Sequence, residues 1–143
     1  MKERHSFNTS ISDIRFIDVP FYPDENGDLS VLECGVNVPF TIMRVFVVRA
    51  GNGSIRGNHA HKSCTQILIC PNGLIEISCD DGQAKTLFVI DNPDKALLIP
   101  PGIWAEQKYI GDETVLTVMC DELYDSNDYI SDYPEFIKLK TNL

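Results

Sequence analysis

Residues 56–66 read RGNHAHKSCTQ, with His59 and His61 one residue apart just behind the pair Arg56-Gly57. Side chains of a β-strand alternate between its two faces, so histidines spaced this way share one face. Turned into a barrel, they form a polar floor in an otherwise apolar cavity. Buried imidazoles cost free energy unless something satisfies them. The pair is therefore expected to be metal ligands, acid/base catalysts or merely structural polar residues on a strand, and the flanking sequence must choose.

Outward from this stretch the chain is a succession of short β-rich runs: Ile14–Val19, Leu29–Glu33, Phe40–Arg49, Gln66–Cys70, Leu74–Cys79, Lys85–Ile90, Ala96–Ile99 and Thr114–Cys120. Turn pairs such as Asn26-Gly27, Asn72-Gly73, Asp81-Gly82, Pro101-Gly102 and Gly111-Asp112 separate them. Strands at roughly 8–12-residue spacing without amphipathic helices between them predict an antiparallel sandwich or barrel. The run VLTVM is apolar at both parities, which predicts a strand buried on both faces, against its own chain or a second subunit. One helix is expected, in SNDYISDYPEFIKLK, capped by Ser126 or Asn127 and interrupted at Pro134.

Length and composition narrow the class. A chain of 143 residues predicts a single domain over 1–143, with its core between about 12 and 138. A formal net charge of −9 argues against nucleic-acid binding, which needs Lys and Arg against phosphates. The five cysteines include no C-x-x-C pair and sit mostly in apolar runs, so they are expected to be reduced core residues of a cytoplasmic protein. No signal-like N-terminal segment and no run of about 20 apolar residues is present, and no membrane association is expected.

The spacing Gly53, His59, His61, Gln66, Gly73 resembles the first cupin motif, with Gln66 where glutamate is usual. Pro100-Pro101-Gly102 resembles the second, with Ala105 in place of its histidine and Asp94 in place of its glycine. The resemblance implies an all-β cupin double-stranded β-helix, a jelly-roll barrel, with a short helical or irregular C-terminal tail. Metal-binding cupins use three His and a Glu, of which only His59 and His61 stand here, so no metal and no cofactor are expected.

Taken together, RVFVV, RGNHAHK, Gln66, the DDG turn, PPGIW and LYDSNDYISDYPEF resemble the WxcM-like cupins, from about Gly27 to Phe136. Those are sugar-nucleotide 3,4-ketoisomerases acting on dTDP-4-keto-6-deoxyglucose. The resemblance implies that the ketone moves from C4 to C3 through an enediol(ate), with a dTDP-linked ketosugar as the ligand. It makes His61 the base at C3, with His59 shuttling protons or steadying charge. It implies Arg44 and Arg56 as partners of diphosphate or a sugar oxygen. Phe46, Trp104 and Glu106 would line the ligand, Trp104 as an aromatic wall, and Lys62 and Gln66 would be secondary contacts.

Three positions depart from the family pattern: Phe46-Val47 in place of two tyrosines, Asn26-Gly27 in place of Arg-Gly, and Trp104-Ala105 in place of Trp-His. Related epimerase barrels rely on a His–Asp pair and a tyrosine, and no such trio stands out in the sequence. An epimerase on the same substrate class and a non-catalytic sugar-nucleotide binder are the alternatives. A homodimer is expected, because strands apolar on both faces and open sheet edges need cover.

Overall fold

The computed structural model describes residues 7–141. Among the described residues, ten strands and one α-helix follow one another: β1 Arg15–Asp18, β2 Phe21–Asp24, β3 Gly27–Ser30, β4 Arg44–Arg49, β5 Ile55–His61, β6 Gln66–Asp80, β7 Lys85–Ile90, β8 Lys95–Ile99, β9 Trp104–Cys120, β10 Tyr129–Ile130 and α1 Tyr133–Thr141. All named strand pairs are antiparallel.

The architecture turns on two long strands, β6 of 15 residues and β9 of 17, which pair along most of their length. One half of this ribbon lies between β8 and β4, the other half between β7 and β5. A single ribbon thus belongs to both layers of a curled sheet, the jelly-roll arrangement expected from the sequence.

The bend itself corrects the sequence reading. Asn72-Gly73 and Gly111-Asp112 were expected to reverse the chain. They sit instead inside β6 and β9, where the register shifts between Ile69, Asn72 and Leu74. Gly73 has φ +95°, and a Cβ there would lie 2.1 Å from Thr114 Oγ1, so the ribbon bends by bulging at a glycine. The expected strands Gln66–Cys70 and Leu74–Cys79 are therefore one strand, and Thr114–Cys120 is the second half of another. β2, with Pro23 inside it, was not anticipated; it forms a hairpin with β3 across the turn at Asn26.

Three apolar clusters hold the layers together. The largest fills the barrel with Leu68, Ile75, Ile77, Leu97, Tyr109, Leu116 and Val118. A second covers the outer face of the β1–β8–β6 layer, where Ile17, Val38, Ile67, Ala96 and Met119 meet Leu32, Phe40 and Ile42. Of VLTVM, Leu116 and Val118 face the barrel core, and on the outer face Met119 is covered by the chain's own segment around residues 32–42. The third cluster seats α1: Phe136 and Ile137 pack on Phe7, Ala60, Trp104 and Ile130.

The tail also differs from expectation. Residues Ser126–Asp128 make a 3-10 turn capped by the Asp125 side chain, then β10 pairs with β5, and only then does α1 begin. Pro134 does not interrupt this helix. It occupies the first turn, where the missing N–H would have no intrahelical acceptor anyway. No described helix is long and apolar enough to cross a membrane.

Candidate active site

Strict alternation along β5 would put Arg56 on the opposite face from His59 and His61. The register shows otherwise. Arg56 stands opposite Gln107 and His59 opposite Ala105, two residues on the same face of β9. The extra residue is absorbed between Gly57 and His59, where Gly57 has φ +91° and Asn58 has φ 59°. A Cβ on Gly57 would lie 3.0 Å from the Ala105 carbonyl oxygen. The bulge therefore needs glycine, and it brings Arg56, which remains exposed, to the same face of the strand as His59 and His61.

β10 lies beside the end of β5, with Tyr129 paired to His61. His61 is 7% exposed, and its Nδ1 meets Asp128 Oδ2 at 2.7 Å. Asp128 Oδ1 accepts from the Ser63 amide at 2.7 Å, the Ser63 hydroxyl at 3.0 Å and the Cys64 amide at 3.3 Å. Burial acts to raise the Asp128 carboxyl, but the His61 hydrogen bond and the Ser63 donors overcome it and hold the group at about 2. Asp128 is thus an anion that can only accept, so His61 Nδ1 carries the proton. The lone pair of His61 is left on Nε2, which is buried and makes no hydrogen bond among the described residues.

Two rings complete this corner. His59 lies edge-on to His61 at 5.0 Å, and Tyr129 packs 4.5 Å from His61 and 5.0 Å from His59. Burial, then the proximity of His61, pushes His59 below its ordinary value, which favours the neutral imidazole. Burial raises the Tyr129 phenol, with Arg44 opposing it, so Tyr129 stays protonated and able to donate at neutral pH. The trio of His, Asp and Tyr that the sequence did not reveal is therefore present as His61, Asp128 and Tyr129.

Arg44, Phe46 and Val48 alternate inward along β4, as their parity predicts, opposite Cys120, Val118 and Leu116. The Arg44 guanidinium lies 5.6 Å from the ring centres of both Phe46 and Tyr124, and it donates to Cys120 Sγ at 3.5 Å. Gln66 shares this inner face and donates to the same sulfur at 3.5 Å. Where a metal-binding cupin would carry its glutamate, the chain spends an amide on a cysteine. The donors of His61, Cys64 and Asp128 lie within 4.8 Å of one another. A cation there would have to replace the hydrogen bond between His61 and Asp128.

The structure does not bring every expected residue to the histidines. Trp104 lies on the other face of β9, 5.3 Å from the Tyr133 ring and 5.8 Å from Phe136, in the seat of α1. Glu106 shares that outward parity, opposite Gly57 and Ser78. Lys62 follows His61 in the chain and is exposed, its amide donating to the Asp128 carbonyl at 2.8 Å. Asp128 and Tyr129 beside His61, and Tyr124 and Cys120 beside Arg44, are the candidate site residues that sequence reasoning missed. The signal for the first two was the DYI tripeptide, which a helical reading of the tail concealed.

The chain matches the family described as FdtA: WxcM-like, C-terminal, over residues 12–141. The TDP-4-oxo-6-deoxy-alpha-D-glucose-3,4-oxoisomerase of Aneurinibacillus thermoaerophilus is 35% identical over 116 residues, 80% of this chain and 84% of its own. Among solved structures, a His-to-Asn mutant of the 3,4-ketoisomerase QdtA from Thermoanaerobacterium thermosaccharolyticum, in complex with TDP-4-keto-6-deoxyglucose, superposes with TM-score 0.88 at 28% identity, covering 93% of this chain and 97% of that one. WlaRA, a TDP-fucose-3,4-ketoisomerase from Campylobacter jejuni, does so with TM-score 0.84 at 33% identity, covering 92% and 98%. A barrel whose inner face gathers two histidines, a carboxylate and a tyrosine is thus found in a chain that belongs to the WxcM-like (FdtA) family, alongside the sugar-nucleotide 3,4-ketoisomerases.

Proposed function

We propose that this protein is a cofactor-independent 3,4-ketoisomerase of TDP-4-keto-6-deoxyglucose, and that His61 is its base. The observation that carries the reading is His61 itself: Nδ1 tied to Asp128 at 2.7 Å, and a buried Nε2 with no hydrogen-bond partner among the described residues. Nε2 takes the C3 proton, which the neighbouring C4 carbonyl acidifies. Asp128 stabilises the imidazolium that forms, as the buried carboxylate of a catalytic triad does. The electrons move onto the C4 oxygen to give an enediolate, which gains a proton there from Tyr129 or His59. Delivery of a proton to C4 and loss of the C3 hydroxyl proton complete the exchange, with no net change in protons or electrons. The product, a 3-keto sugar, is what an aminotransferase making a 3-amino sugar would consume.

Incubation with TDP-4-keto-6-deoxyglucose in D2O, followed by NMR, tests this. A 3-keto product with deuterium at C4 is expected. Exchange at C5 would instead support a second reading, a 3,5-epimerase, which the His61–Asp128–Tyr129 trio also favours. Exchange at no carbon would leave a sugar-nucleotide binder.

We also infer a homodimer. The outer face of β4 exposes Val45 and Val47, with Met43 just before it, and the described chain pairs β4 only with β9. An apolar edge strand of this kind needs a partner.

A further inference from the structure

Arg44, Cys120 and Gln66 form one row across three strands, since Cys120 on β9 stands opposite Arg44 on β4 and opposite Gln66 on β6. All three point inward. The Cys120 sulfur accepts from Arg44 Nη2 and from Gln66 Nε2, each at 3.5 Å. Arg44 otherwise rests on the faces of Phe46 and Tyr124 and interacts with the Tyr129 phenol, and its Nε is buried without a hydrogen-bond partner among the described residues. A guanidinium has five N–H donors. Here one end is tied to sulfur and another donor is desolvated and unspent, beside the Tyr129 phenol.

We propose that Cys120 is a positioning residue: its sulfur anchors the Arg44 guanidinium on the inner face of the barrel, leaving the remaining donors for the sugar oxygen that gains charge as the ketone migrates. This rests on the ketoisomerase reading. The anchoring atom is a thiol pulled toward its anion. The neighbouring Cys64 thiol comes first among the causes; burial opposes it, and Arg44 and Gln66 add to it. Cys64 is correspondingly pushed up and keeps its proton. The groups that face the two sulfurs are Arg44, Gln66 and Tyr129, with Asp121 and Asp128 near Cys64. An ionised sulfur is the stronger acceptor, because charge-assisted hydrogen bonds hold geometry better than neutral ones. A carboxylate in its place would occupy Arg44 through a bidentate pair and leave less of it for the sugar. The sulfur occupies one of the Arg44 donors.

The test is a double-mutant cycle with a spectroscopic control. Cys120→Ala should lower kcat on the order of 10–100-fold through misplacement of Arg44, with TDP affinity unchanged. Cys120→Ser, which keeps an acceptor, should recover most of the rate. In an Arg44→Met background, Cys120→Ala should cost almost nothing further, because the two act as a unit. Full kcat in Cys120→Ala, or the same loss in both backgrounds, would overturn the proposal. Separately, the Cys120 13Cβ shift followed against pH should titrate lower than those of the other cysteines and move up in Arg44→Met. A titration indifferent to Arg44 would remove the anchor itself. A wild type without ketosugar turnover would refute the ketoisomerase reading instead, and the 13Cβ titration would still decide whether the anchor exists.

Discussion

Asp128 accepts from His61 with one oxygen and from the Ser63 and Cys64 amides with the other, so Asp128→Asn has a definite outcome. The asparagine oxygen must turn to the two amides, which presents its NH2 to His61 Nδ1. The ring then carries its proton on Nε2 and cannot act as a base there. We expect kcat to fall by roughly 10²–10⁴-fold, the range for losing a positioned general base, with TDP binding and circular dichroism unchanged. His61→Asn should lose a similar factor while still binding TDP. The same carboxylate links folding to pH. Its folded value of about 2 lies below the usual 3.8, so its contribution is fully present above about pH 4 and is lost as pH falls toward 2. Urea midpoints measured across that window should drop more steeply in the wild type than in Asp128→Asn.

The bulge in β5 is the element on which the site depends. Gly57→Ala would place a Cβ 3.0 Å from the Ala105 carbonyl at φ +91°. Backbone strain of this kind costs about 1–3 kcal/mol, measurable as a lower urea midpoint at constant m-value. Activity should fall further than stability, because relaxing the bulge rotates Arg56 away from the histidine face. Wild-type activity in Gly57→Ala would show that Arg56 need not share that face. Chelation, by contrast, should leave turnover unchanged, since Gln66 and Ala105 stand where two cupin ligands would be. Activity lost to a chelator and restored by one divalent ion would refute this.

Across the whole molecule, Lys140 closes the fold. Its ammonium donates to the carbonyls of Phe7 at 2.8 Å, Thr9 at 2.7 Å and Gly102 at 2.9 Å, tying α1 to the start of the described chain and to the β8–β9 turn. The Gly102 amide in turn donates to the His61 carbonyl at 2.8 Å. Lys140→Met keeps the aliphatic stem and strands three carbonyls, and should cost roughly 1–3 kcal/mol, read as a lower Tm. Light scattering should return twice the chain mass; a monomer at micromolar concentration would remove the dimer.

What the sequence determined by itself was carried by local signals. Period-two alternation put Arg44 and Phe46 on one face of β4, turn chemistry separated most strands, and the motif around His59 and His61 pointed to the barrel and its chemistry. These signals survive because each depends on neighbours a few residues away. Tertiary structure decided the rest. Whether a glycine pair reverses the chain or bulges a long strand depends on the partner strand, so Asn72-Gly73 and Gly111-Asp112 were misread. Trp104 and Ala105 are adjacent, yet only the register against β5 shows that Ala105 faces the histidines and Trp104 faces the helix. The ion that sets the His61 tautomer comes from 67 residues away. Such a pairing leaves no local period or spacing, because it exists only once β10 has docked beside β5.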